Sequence, residues 1–365
     1  MEFIGYTAWE QLPDSANDLF AEAAAGSIFF SRPWFENLVE HALEPDQSML
    51  LACVVEQDRV LAILPLMTRN DGYVQALGHL YSSLYSVLVA GQRQHAILQC
   101  LAQGLARLQV VSLRLAPVAD DDDRLQLLQQ AMESCGYTCF VKFKFFNWFH
   151  RCQGQSFDDY MNARPSRVRN TIARKQRKLA REHGYDIRLY TGAELHQALA
   201  DYSRVYAASW KARELHAAFI EGLARRLATQ GWLRIAVLYI DDRPAAAQYW
   251  FVANGKASIF KLAYDETWKH YSPGSILIRY LMEQVIHNDH VVEIDFLTGN
   301  DAYKSDWMSE RRSRVGLYCA KARPHRGRSR RLLDAVGGWL QRFAVHPDRE
   351  TRGESTLADR NMSIG

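Results

Sequence analysis

Long hydrophobic runs are missing from this 365-residue chain. None approaches the roughly eighteen consecutive apolar residues of a membrane-crossing helix, so no integral membrane segment is expected. Charge imbalance is missing too. Lys+Arg number 44 against 41 Asp+Glu, so overall charge names no partner and only its distribution can inform. Cysteine is sparse, with six residues scattered at 53, 100, 135, 139, 152 and 319. That reads as reduced, mostly buried thiols and not as a disulfide framework. The start, Met1-Glu2-Phe3, lacks a basic segment before an apolar one. No secretory signal is therefore expected, and the expected setting is cytoplasmic. Gly-x-Ser-x-Gly, P-loop and Rossmann fingerprints are absent, which removes the usual marks of hydrolases, NTPases and dinucleotide enzymes. His287, Asp289 and His290 share one predicted helix end without a further ligand, so no metal is expected.

What is present suits two α/β units of ordinary size, with 48% hydrophobic and 12% aromatic residues. Two halves repeat one pattern. Met49–Val55, a turn at Gln57-Asp58-Arg59 and Val60–Met67 form a strand–turn–strand, and Tyr73–Leu77 follows Asn70-Asp71-Gly72. Leu233–Ile240, a turn at Asp241–Pro244 and Ala245–Val252 match it, and Asn254-Gly255 leads into Ala257–Tyr264. Each half then offers a helix (about 95–108 and 273–288) and one more strand (110–115 and 291–296). The expected fold class is thus α/β with a mixed sheet, in tandem. The expected units are 1–155, 156–322 and a basic tail, 323–365. Between the halves lies an arginine-rich helical stretch, with Arg164, Arg167, Arg169, Arg174, Lys175, Arg177, Lys178 and Arg181 and no acidic residue from Met161 to Ala180. Such a run is ordinarily a solvated basic face, although it could also grip phosphates, an anionic glycan or RNA. Past Lys321 a second basic cluster (Arg323, Arg326, Arg328, Arg330, Arg331) and a short helix lead into a polar segment expected to be disordered.

Residues 257–307 are the most informative stretch. A helix opening on Ser272-Pro273-Gly274-Ser275 suits an anion. Ser272 is placed to cap it, Pro273 fits the first helical position, and Gly274 lets a ligand approach backbone N–H groups. A well-capped helix is the plain alternative. Period-2 alternation then sets Val292, Ile294 and Phe296 on one strand face, and Val291, Glu293 and Asp295 on the other. Glu293 and Asp295 are candidate catalytic bases, weighed against a salt-bridged pair on a half-exposed face. In the following loop Tyr303 could protonate a leaving thiolate, and Lys304 could hold a phosphate or carboxylate. Trp210, Tyr81 and Tyr85 are candidates for lining an acceptor cleft between the halves, although core packing would look the same.

The Tyr-x-Pro-Gly helix start and the run Glu-Ile-Asp-Phe-Leu-Thr-Gly-Asn-Asp-x-Tyr-Lys, taken with the hairpins, resemble the CelD-like acetyltransferases of cellulose biosynthesis. These belong to the GNAT superfamily and are related to the two-domain FemAB peptidyltransferases. The resemblance runs from about Phe29 to Lys321. It implies acyl-CoA, most simply acetyl-CoA, as co-substrate, with its pyrophosphate at the start of the helix beginning at Pro273. The acceptor would be a small amine or a hydroxyl on a saccharide or envelope precursor. In place of the usual longer glycine-rich loop of GNAT enzymes the chain has only Ser272–Ser275. Two alternatives stay open: aminoacyl-tRNA-dependent peptidyl transfer of the FemAB type, and a non-catalytic scaffold in exopolysaccharide biosynthesis.

Overall fold

A computed structural model describes residues 1–69 and 71–321, so the second basic cluster, its short helix and the tail lie outside the described residues. The first half contains β1 (Glu2–Tyr6), α1 (Ser15–Gly26), α2 (Arg32–His41), β2 (Ser48–Glu56), β3 (Arg59–Thr68), β4 (Tyr73–Ala76) and β5 (Leu88–Val89). It continues through α3 (Gln94–Arg107), β6 (Ser112–Ala119), α4 (Asp123–Ser134) and the long β7 (Tyr137–Arg151). The second half has α5 (Phe157–Asn162), α6 (Ser166–Glu182), β8 (Asp186–Tyr190), α7 (Leu195–Ala207), α8 (Ala217–Thr229), β9 (Leu233–Ile240), β10 (Arg243–Ala253) and β11 (Lys256–Tyr264). A 3₁₀ turn, Glu266–Tyr271, then leads to α9 (Pro273–His287), β12 (Glu293–Asp295), α10 (Lys304–Trp307) and β13 (Glu310–Lys321).

The repeat read from the sequence is present, but its two copies share one mixed sheet. The order is β1-β2-β3-β4-β6-β13-β7-β12-β11-β10-β9-β8, with β5 beside β3. In each half an antiparallel run ends in a single parallel pair across a helical crossover: β4 with β6 over α3, and β11 with β12 over α9. The last strand of each half then pairs with the other half. β7 lies antiparallel to β12, β13 lies antiparallel to β6, and β7 and β13 pair along their length. Cys139 and Cys319 face each other on this central pair and are joined as a disulfide. That corrects the expectation of reduced thiols for these two. The cause is a cross-strand pairing between residues 180 apart, which spacing along the chain does not display.

The larger core also crosses between the halves. Ser31 accepts a hydrogen bond from the Trp34 N–H and Pro33 stands in the first turn, so α2 starts there. Its Trp34 and Phe35 are buried, and Trp34 meets Phe219 of α8 edge to face at 5.6 Å. Asn37 donates to the Phe219 carbonyl at 3.0 Å, and Arg226 pairs with Glu36 and Glu40. A methyl group at Gly222 would lie 2.5 Å from Asn37 Oδ1, so glycine is what lets the two helices approach this closely.

At the end of β7, His150 is 6% exposed, and burial followed by the Arg164 charge pushes its pKa down to about 4. The native state therefore holds the imidazole neutral, whereas the unfolded chain protonates it near pH 6.5. Stability is complete above about pH 6.5 and falls as the pH is lowered towards 4. The urea midpoint should decrease over that window, and by less in His150→Gln. An equal decrease in both proteins would assign the acid sensitivity elsewhere.

Candidate active site

The helix start differs in detail from the expectation. Ser272 adopts φ 54°, ψ 51°, and its side chain does not cap α9. The left-handed backbone instead turns its carbonyl to the N–H groups of Ser275 and Ile276 at 3.1 and 3.2 Å. Pro273 does occupy the first turn. The Gly274 N–H has no partner among the described residues. A Cβ at Gly274 would stand 3.2 Å from the Tyr264 ring, so this glycine also serves close packing. Trp210 lies against Tyr264, with ring centroids 4.5 Å apart, which puts it near the helix start. Lys175 of α6 donates to the His270 carbonyl at 2.6 Å, and Lys178 lies over the Tyr271 ring. One side of the basic helix thus flanks the entry to α9.

From there β11 runs away towards the carboxylates. Its parallel pairing with β12 covers only Lys256–Glu293, Ala257–Ile294 and Ser258–Asp295. From Ile259 to Tyr264, β11 pairs on one side only, with β10. A bulge at Phe260 interrupts that pairing. β12 meanwhile turns off at Leu297, a buried non-glycine residue at φ 56°. Asp295 Oδ1 accepts from the Leu297 N–H at 2.5 Å, and Asn147 donates to the Leu297 carbonyl at 2.8 Å. The result is a wedge between β11 and the chain leaving β12. The helix start and the carboxylates lie at its opposite ends, six residues or about 20 Å apart along β11. The anion-suited helix start is thus not adjacent to the acids, because a crossover helix begins at the far end of the strand preceding it.

Glu293 and Asp295 do share a face, but it is covered, each residue being 9% exposed. Arg312 of β13 binds both, at 2.9 Å from Glu293 and 2.6 Å from Asp295. Burial lowers the Arg312 pKa, and the charges of Asp295 and Glu293 more than reverse this, raising it overall. Asn147 of β7 donates to Asp295 Oδ1 at 2.5 Å and accepts from Arg312 Nε at 2.6 Å. Asp295 thus receives three donors, while among the described residues Glu293 is held by Arg312 alone. These groups open into a cleft whose walls include the 24–29 segment, Ser83, Ser258 and Arg314.

Lys304 is 4% exposed and its ammonium meets Asp301 and the carbonyls of Thr298 and Phe296. It staples the loop, and these contacts do not aim it at a ligand. Tyr303 sets its ring against Phe296. Tyr85 is enclosed in the first half's core, bonded to the Pro65 carbonyl, and is not among the residues lining the cleft of Glu293 and Asp295. Tyr81 belongs to a separate polar group. Its hydroxyl meets Glu214, which pairs with buried Lys261 at 2.8 Å, and Lys261 lies over the Tyr81 ring. Arg312, Arg314, Asn147, Glu214 and Lys261 are absent from the sequence-based candidates. Only Arg312 and Arg314 gave a sign, an i, i+2 pair of like charge matching Glu293 and Asp295.

Residues 166–305 match the family model described as Acetyltransferase (GNAT) domain. The second half thus carries a GNAT-type acyltransferase domain, and the chain is an acyltransferase. Among solved structures the chain resembles FemX, at a TM-score of 0.62 and 11% identity, covering 88% of this chain and 98% of FemX. It also resembles L-PGS from Bacillus licheniformis, at 0.51 and 11% identity, over 86% and 96% of the two chains. These likenesses are of fold. No protein of curated function matches the sequence. Among the described residues no helix is long and apolar enough to cross a membrane, and no group of three or more His, Cys, Asp or Glu could hold a metal ion.

Proposed function

We propose that the chain transfers an acyl group from acyl-CoA, most simply acetyl-CoA, to an amine or hydroxyl. The observation that carries this reading is the wedge. It joins an anion-suited helix start to a buried acid–base cleft across about 20 Å of unpaired strand edge. A diphosphate would meet the free Gly274 amide, the positive end of α9 and the cations of α6. The two amides of a pantetheine arm could extend the sheet along Ile259–Tyr264 as an added strand does. That would deliver the thioester towards the cleft, where orientation supplies much of the acceleration.

Glu293 is the residue we assign as proton acceptor, because Asp295 has three donors on its two oxygens. Asp295, Arg312 and Asn147 then position it. Tyr303 is the proposed proton donor to the departing thiolate. Lys304 shapes the loop that presents Tyr303, and Trp210 walls the donor entry. CelD-like membership, a saccharide or envelope-precursor acceptor, a role in exopolysaccharide or cellulose biosynthesis and a cytoplasmic setting belong to the same proposal, as does a division at 155/156. Calorimetry with acetyl-CoA tests it. Binding in the micromolar to millimolar range usual for enzyme substrates is expected. No heat at millimolar acetyl-CoA would refute it.

One observation favours a second reading, aminoacyl-tRNA as the donor. Arg174 and Arg177 project from α6 into solvent without an ion-pair partner among the described residues. Retention of tRNA that weakens steeply with salt, without acetyl-CoA binding, would select it.

A further inference from the structure

Arg314 lines the central cleft with a guanidinium that the described residues leave incompletely matched. It is 3% exposed, on β13 two residues beyond Arg312, and lines the same cleft. Its Nη1 donates to the Ser313 carbonyl at 3.3 Å and its Nη2 to Asn147 Oδ1 at 3.1 Å. Its Nε is buried with no partner, and no carboxylate among the described residues pairs with it. Glu293 and Asp295 of the same cleft are both bound by Arg312. Lys256 at the cleft edge is turned to the Gly26 carbonyl. Asp121 lines the cleft from beyond β6 but forms no ion pair with Arg314. Burial and then the neighbouring Arg312 charge hold the Arg314 pKa below the usual guanidinium range. A buried cation without a counter-charge is costly, and an orphaned Nε–H beside unused Nη hydrogens is half of a bidentate fork.

We infer that Arg314 is the anchor of an oxyanion subsite in this cleft, taking a carboxylate or phosphate carried by a small ligand. Two ligand oxygens would accept from Nε and an Nη of Arg314. The hydroxyls of Ser27 and Ser258 and the ring of Phe251 supply a mixed polar and apolar wall around it. If the proposed acyl transfer holds, the subsite reads an acidic group on the acceptor, so acceptors bearing a carboxylate or phosphate are preferred over neutral amines. Binding itself needs no acyl donor, so the two proposals stand or fall separately.

The test is thermal unfolding of the full chain with inorganic phosphate or succinate, at ionic strength held constant with sodium chloride. At least one anion should raise the Tm by several degrees, and the responding anion distinguishes a phosphate source from a carboxylate source. Arg314→Gln should remove the rise. Because that variant could unfold on its own, Ala119→Asp provides the second arm. Ala119 is the cross-strand partner of Arg314 on β6 and lines the cleft, so an aspartate there supplies the counter-charge in cis. It should raise the Tm without ligand and abolish the anion response. No response to either anion in the wild type, or an undiminished response in Ala119→Asp, overturns the subsite. So does a Tm loss in Asp121→Asn as large as that in Arg314→Gln, which would assign the guanidinium to Asp121.

Discussion

Replacing Arg312 by leucine is expected to lower stability by about 3 kcal/mol, towards the low end for breaking a buried ion pair. Among the described residues Arg312 is the only cation bonded to Glu293 and Asp295, which are two residues apart on one strand face. Without it two like charges are left facing each other in a covered site. The side chain of Arg312 is 25% exposed, so some water reaches the gap and the upper end of the range is not expected. Adding Glu293→Gln and Asp295→Asn removes the stranded charges and should recover most of the loss. Urea unfolding of the single and triple variants measures both. A triple variant no more stable than the single one would mean that Arg312 contributes through packing on Phe149, over which it also lies at 4.1 Å, and not through charge.

Ser275→Glu should separate stability from donor binding. Ser275 is in the first turn of α9 and is half-buried. A carboxylate there complements the helix dipole and should leave the Tm unchanged or raise it slightly, by about 0.3–1 kcal/mol in free-energy terms. The same charge would oppose a diphosphate a few ångström away. At an effective dielectric of about 20 that costs on the order of 2–4 kcal/mol, so acetyl-CoA affinity should fall by roughly thirtyfold to several hundredfold. Calorimetry beside a thermal melt reads both quantities. A stable variant that binds acetyl-CoA as the wild type does would remove the donor from this end of the wedge.

The two hairpins were legible because each sets two apolar runs around a tight turn. The positive-φ residues Gln57, Asp58, Asp241, Asp242 and Asn254 confirm those turns. Helix α9 was legible from its Ser272-Pro273-Gly274 start. The seam was not. β7 alternates lysine with phenylalanine at Lys142–Phe145 and is partly exposed on both faces over its middle, so its period-2 signal does not separate inside from outside. β13 begins with the charged run Glu310–Arg314, in which Arg312 is partly buried against the two carboxylates that β12 brings to it. For the same reason Glu293 and Asp295 were visible as a pair, whereas their partner Arg312 and the bridging Asn147 were not. Cross-strand neighbours that lie far apart in the chain leave no mark on local pattern. Tyr85 shows the converse limit, since an aromatic in a serine-rich loop reads alike whether it lines a cleft or fills a core.

The crossed last strands set an order on biosynthesis. β6 is made early, yet its neighbour in the finished sheet is β13, the last described strand, so its hydrogen-bonding edge waits while some two hundred residues are added. β7 waits likewise for β12. Contacts of such long span form slowly, and an unsatisfied strand edge is a template for the wrong partner in the meantime. The cleft holding Glu293, Arg312 and Arg314 is assembled from both halves and closes only when β13 is threaded between them. A ribosome must therefore release the chain through β13 before any of the proposed chemistry can begin.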